Sequence, residues 1–174
     1  MITPTLSSTY VRNLTEEPRS QGQDRPSDQA AARGVTGPLR ILHLSALYPP
    51  YIVGGAERSV EHLAEELVAA GHTVAAACIA REPEPKSVRG GVTVYRMAHH
   101  NDFWLEDWPK ATRFGRAWAK LKQQWNFAVA AEFGRVLDDF RPDIVNTHSL
   151  LDVSTLVWRE AAKRGIPIVH TVCE

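Results

Sequence analysis

The chain has 174 residues, 44% of them apolar, which suffices for one domain of ordinary size with a real hydrophobic core. Its 20 basic and 20 acidic residues cancel, which removes the usual electrostatic argument for a nucleic-acid partner. Two distant cysteines, with no CxxC pair and no His/Cys cluster at zinc spacing, predict a reduced cytoplasmic protein without a metal site.

Residues 1–38 differ in composition from the rest of the chain. They are rich in Pro, Ser, Thr, Gln and Gly and contain few large apolar side chains. Such a segment buries too little apolar surface to offset the entropy lost on ordering. We therefore predict a disordered tail over 1–38 and a folded domain over 39–174.

The first elements alternate between strand and helix patterns. Residues 39–45 form an apolar run of strand length, and helical spacing of apolar residues follows the loop, ending at Gly71. Residues 73–80 form a second apolar run and residues 92–97 a third strand candidate. The residues between these two strands, 81–91, are polar and predict a loop.

The second half of the sequence continues the alternation. After an irregular stretch at 98–109, one long helix is predicted from about 110 to 140. Its apolar stripe consists of Phe114, Trp118, Leu121, Trp125, Ala128, Phe133, Val136 and Phe140. A strand at 144–148, a helix at 153–164 and a strand at 166–171 follow.

This alternation predicts an α/β fold with a doubly wound, Rossmann-like parallel sheet. The expected order of the five strands is 3-2-1-4-5, with the switch point between the first and fourth strands. Ligands of such sheets bind at the carboxyl ends of the strands near that switch. The loops after Ser45 and His148 therefore face one crevice.

Gly54 and Gly55 lie where the first loop becomes a helix. Glycine allows close approach of a ligand, and the free amides at a helix N-terminus favour an anion such as a phosphate. A Gly-Gly pair before a helix is equally often only a turn. The spacing matches neither GxGxxG nor the phosphate loop of ATPases, which argues against those nucleotide-binding motifs.

Four motifs in this order resemble family 4 glycosyltransferases. They are the strand 40–45 followed by Tyr48-Pro49-Pro50, the turn Gly54-Gly55-Ala56-Glu57, the strand Arg141-Pro142-Asp143-Ile144-Val145-Asn146-Thr147-His148, and the run from Gly165 to Thr171. The resemblance covers nearly all of 39–174. It implies the GT-B architecture, in which two Rossmann-like domains face each other across a cleft.

The resemblance also implies roles for individual residues. Gly54 and Gly55 would contact the phosphates of the donor, and His148 would orient and polarise groups at the reaction centre. His170 and Thr171 match the family only weakly, because Cys173 and Glu174 replace its second histidine and its aspartate. Weaker cleft candidates are Tyr48, which either stacks on an acceptor or packs its loop, and Glu57, whose carboxylate more simply suits the helix dipole.

The implied activity is that of a retaining enzyme of hexosyltransferase type. It would transfer a sugar from a nucleotide-sugar to a glycan or lipid-linked acceptor, with the nucleotide-sugar as substrate and no metal or cofactor. This sequence corresponds to the acceptor-side, amino-terminal half, so we expect a truncated chain that is inactive alone. The alternatives are a non-catalytic half of a split enzyme, a nucleotide-sugar epimerase and a signalling domain.

Residues 104–125 hold four of the five tryptophans, interleaved with lysine and arginine. A basic helix with an aromatic face is typical of peripheral contact with an anionic membrane, here the inner face. The simpler interpretation, which we favour, is that the stripe is the core face of a crossover helix.

Overall fold

A computed structural model describes residues 37–82, 84–104, 107, 112–150 and 153–172. Of the predicted tail, 1–38, all but the last two residues lie outside this range. The described chain is an α/β structure with one six-stranded, mostly parallel sheet. The strands are β1 (Arg40–Leu44), β2 (Thr73–Ala80), β3 (Glu84–Arg89), β4 (Val92–Ala98), β5 (Ile144–Thr147) and β6 (Ile168–His170).

The strand order is β3-β4-β2-β1-β5-β6. The five parallel strands therefore follow the predicted 3-2-1-4-5 order, and the predicted doubly wound fold is confirmed. The register brings Leu44 at the end of β1 opposite Thr147 at the end of β5. The carboxyl ends of these two neighbouring strands thus lie side by side at the switch point.

Strand β3 corrects the prediction of a loop over 81–91. It pairs antiparallel with β4, and Gly90 and Gly91 connect the two strands with φ values of 55° and 79°. Positive φ at both central residues is typical of the tight turn that matches the twist of a hairpin. The strand was missed because all six of its residues are exposed, so it lacks the apolar pattern of a buried strand.

The described residues form four helices. They are α1 (Gly55–Ala69), α2 (Arg113–Gln124), α3 (Phe127–Phe140) and α4 (Leu156–Lys163). Of these, α1, α3 and α4 pack on the sheet. The prediction of one helix from 110 to 140 is wrong, because the helix is interrupted between α2 and α3. Asn126 begins α3 as its cap and accepts a hydrogen bond from the Val129 amide at 3.1 Å. Asparagine favours such a capping position over a helix interior.

Apolar clusters lie on both faces of the sheet. Helix α1 packs through Val60 and Ala64 on one face, against buried residues of β2 and β4. Helices α3 and α4 pack on the other face, where Phe133 is among the largest fully buried side chains. Both faces are covered, which explains why β1 and β2 read as continuous apolar runs.

Candidate functional site

His148 lies at the carboxyl edge of the sheet, directly after β5. Its backbone amide donates to the carbonyl of Leu44 at 2.8 Å, which extends the pairing of β5 with β1 by one residue. The chain therefore holds His148 beside the point where β1 ends and its loop begins. This is the crevice position predicted for the first and fourth strands of the parallel sheet.

The ring of His148 contacts a second buried histidine, His43, on β1. His148 Nε2 and His43 Nδ1 are 2.9 Å apart, and the rings stack with their centroids 5.2 Å apart. Burial, and then the proximity of His148, lower the pKa of His43 to about 4. Burial, followed by His170, also lowers the pKa of His148. Both rings are therefore neutral at pH 7.

His170 ends β6 and is fixed by the neighbouring strand. Its Nδ1 lies 2.9 Å from the hydroxyl oxygen of Thr147 and 3.1 Å from the carbonyl oxygen of Thr147. The indole N–H of Trp158 donates to the same hydroxyl at 3.2 Å. Thr171 donates through its hydroxyl to Asn146 at 3.0 Å. His170 and Thr171 are thus brought to the same edge of the sheet as His148.

The glycine turn opens α1. Gly54 is the residue before the helix and Gly55 its first residue. Gly54 has φ −149°, which is ordinary extended backbone, and a Cβ added at Gly55 would meet no atom within 4 Å. The Gly54 amide donates to the carboxylate of Glu57 at 2.9 Å, so Glu57 caps its own helix. A phosphate at this turn would meet the remaining amides or displace that carboxylate.

Tyr48 packs its loop down instead of facing the cleft. Its side chain is 1% exposed and belongs to the apolar cluster under α1. Burial is also the main reason why the pKa of Tyr48 rises to about 12. The prediction that Tyr48 stacks on an acceptor is therefore corrected in favour of its structural alternative. Tyr51, three residues later, is the exposed aromatic of this loop.

Arg96 on β4 forms hydrogen bonds with the backbone of the same loop. Its guanidinium donates to the carbonyls of Tyr48 and Pro49, and its Nε lies 3.0 Å from a carboxylate oxygen of Glu84. Only 7% of Arg96 is exposed. The loop between β1 and the glycine turn therefore rests on a buried charge.

The aromatic stripe of α2 faces outward, which corrects the expectation that it is the core face of a crossover helix. Phe114 is 91% exposed, Trp118 61% and Trp125 58%. Only the α3 part of the predicted stripe is buried, at Phe133, Val136 and Phe140. Of the segment 104–125, residues 105, 106 and 108–111 lie outside the described residues.

Trp118 and Trp125 line a groove of about 410 Å³ between α2 and residues 100–102. Lys122 lies in the same wall and pairs with Asp102 at 3.1 Å. No helix within the described ranges is long and apolar enough to span a bilayer. The described residues also contain no group of three His, Cys, Asp or Glu side chains placed to hold a metal ion.

Three residues of this region escaped the sequence-based predictions. His43 gave a signal, because it is a polar residue in the middle of an otherwise apolar strand, between Leu42 and Leu44. Arg96 was included in the strand candidate 92–97 without being assigned a role. Trp158 gave no signal, since a tryptophan on an amphipathic helix is most simply a packing residue.

Comparison with known proteins agrees with this geometry. Residues 53–172, more than half of the chain, match the model of Glycosyltransferase Family 4. An uncharacterized 42.6 kDa protein in the cps region of Klebsiella pneumoniae is 34% identical over 134 residues, which are 76% of this chain and 36% of that protein. A glycogen synthase of Mycobacterium tuberculosis is 30% identical over 146 residues, 77% of this chain and 33% of that enzyme.

The chain therefore spans about a third of the length of the curated relatives it matches. The family match includes the glycine turn, His148, His170 and Thr171. The matched region and the doubly wound sheet agree on one conclusion: this chain belongs to Glycosyltransferase Family 4.

Proposed function

We propose that this chain is the acceptor-side half of a retaining glycosyltransferase of hexosyltransferase type. It would act on a nucleotide-sugar donor and a glycan or lipid-linked acceptor. The observation that carries the proposal is the position of His148 after β5, beside the end of β1. The loop from β1 leads to Gly54 and Gly55 at the start of α1. Ligands of doubly wound sheets bind at this edge.

In this proposal the glycine turn contacts the diphosphate of the donor. The first amides of α1 and the positive end of its dipole favour the negative charge of the phosphates. The open space at Gly55 suits an approaching ligand. His148 forms hydrogen bonds at the reaction centre, and His170 and Thr171 line the neighbouring part of the cleft.

A binding experiment tests the phosphate contact in the 174-residue chain. Amide shifts are followed by NMR while inorganic pyrophosphate, and separately uridine diphosphate, are added. We expect the largest changes at Gly54, Gly55 and His148. The variant Gly55→Asp adds a negative charge at the turn and is expected to weaken binding at least tenfold, whereas His62→Asp, at an exposed position on the same helix, should not. Changes elsewhere only would contradict the proposal.

In this proposal the donor sugar and nucleotide are held mainly by a second, donor-binding domain; this chain spans about a third of the length of the curated relatives it matches. We therefore expect release of nucleoside diphosphate from nucleotide-sugars only when a donor-domain polypeptide is supplied. Release that needs both polypeptides supports two cooperating halves. Transfer by this chain alone contradicts the proposed division, and epimerised sugar without release favours the epimerase alternative.

A peripheral membrane contact is a second proposal, favoured by the exposure of the α2 stripe. Phe114, Trp118 and Trp125 point outward from a helix whose residues 113–124 include four lysines and arginines and no acidic residue. Such a face combines apolar burial with attraction to anionic lipid headgroups. It would bring a cytoplasmic enzyme to the inner membrane surface, where a lipid-linked acceptor lies.

Liposome flotation tests this contact. Binding is expected to vesicles that contain phosphatidylglycerol and to be much weaker with phosphatidylcholine alone. The double variant Phe114→Ser/Trp118→Ser should lose binding, whereas Val53→Ser/Val88→Ser, which also removes two exposed apolar side chains, should retain it. Equal binding by both double variants would contradict a role for α2.

A further inference from the structure

The buried histidine pair leaves one ring nitrogen without a partner. His43 Nδ1 and His148 Nε2 contact each other at 2.9 Å. Among the described residues, the buried side-chain nitrogen and oxygen atoms that lack a hydrogen-bond partner are His43 Nε2 and the Tyr48 hydroxyl. A neutral imidazole carries its hydrogen on one nitrogen and a lone pair on the other. The unpaired nitrogen therefore restricts where the hydrogens of the pair lie.

Two arrangements of the hydrogens satisfy the contact between the rings. If His148 donates through Nε2, His43 accepts through Nδ1 and must carry its own hydrogen on Nε2. That arrangement buries an N–H group with no acceptor, which is rare in folded proteins. If His43 donates through Nδ1, only a lone pair remains at its Nε2. The second arrangement is the less costly one, because an unpaired donor costs more than an unfilled lone pair.

We propose that His43 is a positioning residue that holds His148 as the tautomer with hydrogen on Nδ1. His148 then offers its Nδ1–H group as a hydrogen-bond donor and has no free lone pair with which to act as a base. Its ligand is an oxygen acceptor, either a phosphate oxygen or a sugar hydroxyl oxygen. The statement about the ligand rests on the proposed glycosyltransferase function, whereas the tautomer does not.

At the next strand end, His170 offers a hydrogen-bond acceptor where His148 offers a donor. The carbonyl oxygen of Thr147, 3.1 Å from His170 Nδ1, only accepts hydrogen bonds, and the Thr147 hydroxyl, 2.9 Å from the same nitrogen, can donate to the carbonyl of Val169 at 3.3 Å. Hydrogen on Nδ1 of His170 satisfies all three contacts. Its Nε2 is then an acceptor. The two strand-end histidines thus offer a donor at His148 and an acceptor at His170.

NMR of the histidine rings tests the assignment in the 174-residue chain. Two-dimensional ¹H–¹⁵N spectra recorded near pH 8 distinguish the two tautomers of a neutral imidazole ring. His72 and His99 serve as internal references, because the backbone amides of Leu39 and Asn101 donate to their Nδ1 atoms at 3.1 and 3.0 Å. These two must carry hydrogen on Nε2.

We expect the reverse pattern at the buried pair, with hydrogen on Nδ1 of both His43 and His148. A ¹⁵N–¹⁵N scalar coupling across the N–H···N bond, detected on the hydrogen bonded to His43 Nδ1, would identify His43 as the donor in the unmodified protein. Hydrogen on Nε2 of His148, seen directly or through a coupling detected on that hydrogen, would overturn the proposal. Neither observation needs a donor substrate or catalytic turnover, so the outcome is independent of the pyrophosphate experiment.

Two variants separate positioning from packing. His43→Leu removes the donor, and we expect His148 to lose its Nδ1–H tautomer as the major form. His43→Asn places an amide N–H the same number of bonds from the backbone as Nδ1, and we expect His148 to keep it. A purely structural His43 would leave the His148 tautomer unchanged in both variants, which would contradict the proposal. If the leucine variant does not fold, the coupling in the unmodified protein decides.

Discussion

Arg96 is the buried charge on which the loop after β1 depends. Its guanidinium donates to two loop carbonyls and pairs with Glu84. For Arg96→Ala we expect the free energy of unfolding to fall by about 3 kcal/mol, since two buried carbonyls lose their donor. Urea denaturation measures the loss. Arg58→Ala, at an exposed position of α1, is the matched control and is expected to change the value by less than about 0.5 kcal/mol.

His43 makes stability depend on pH. Its pKa is about 4 in the folded chain against 6.5 for an ordinary histidine, so the unfolded state binds more protons between these values. Stability is therefore lost as pH falls from 6.5 towards 4, by about 3 kcal/mol for this group. The lowered pKa of His148 acts in the same direction.

Urea midpoints at pH 7.5 and 4.5 measure this dependence. The variant His43→Leu is expected to flatten it, and His62→Leu, at an exposed position, should preserve it. Carboxylates with lowered pKa values, such as Asp138, lose their charge below this window. An unchanged slope in His43→Leu would show that His43 does not carry the effect.

The positions of His148 after β5 and of the glycine turn at the start of α1 could be predicted, because strand order and element ends follow from apolar runs. The roles of these residues stay predictions. The sequence did not reveal the contact of His148 with His43 or the contacts of Arg96. Both contacts join side chains that are far apart in the chain, and the register of the strands decides which of them meet. Because β1 is buried along almost its whole length, its apolar pattern does not single out one register.

At the scale of elements, α2 and α3 both contribute to the predicted apolar stripe but differ in packing. Phe133 of α3 is fully buried, whereas Phe114 of α2 is 91% exposed. Phe133→Ala should therefore lower the free energy of unfolding by about 3–5 kcal/mol, through lost burial and the cavity left behind. Phe114→Ala is expected to lower it by less than about 0.5 kcal/mol. Similar losses in thermal or urea unfolding would contradict the placement of α2.

The apolar stripe over 110–140 was predicted, but the signal for its division into two helices was overlooked. A stripe of period 3.6 shows where a helix has an apolar face, without showing what covers that face. The break was indicated by Asn126, a residue that favours caps. Similarly, the Gly90-Gly91 pair between two short runs indicated the hairpin of β3 and β4. In both cases a local cap or turn signal outweighed the broader pattern.

For the whole described domain, protection of the backbone amides against hydrogen exchange should decrease from the centre of the sheet to its β3 edge. Strands β1 and β2 have neighbours on both sides and are almost entirely buried. Strand β3 has one neighbour and six exposed residues. We expect amides of β2 to exchange with deuterium at least a hundredfold more slowly than those of β3, as measured by NMR, because edge strands open without global unfolding. Equal rates would contradict this order.

The glycine turn has a consequence for how this domain is tested and varied. Gly54 has no left-handed backbone, and the space around Gly55 would accept a methyl group. Glycine at Gly54 suits the capping position better than alanine, but at Gly55, the first helical residue, the folded chain gives no reason for glycine, since alanine is the better helix former. Loss of activity after alanine substitution there would therefore report on the molecule that enters the cleft. Few positions near a ligand site separate recognition from folding so cleanly.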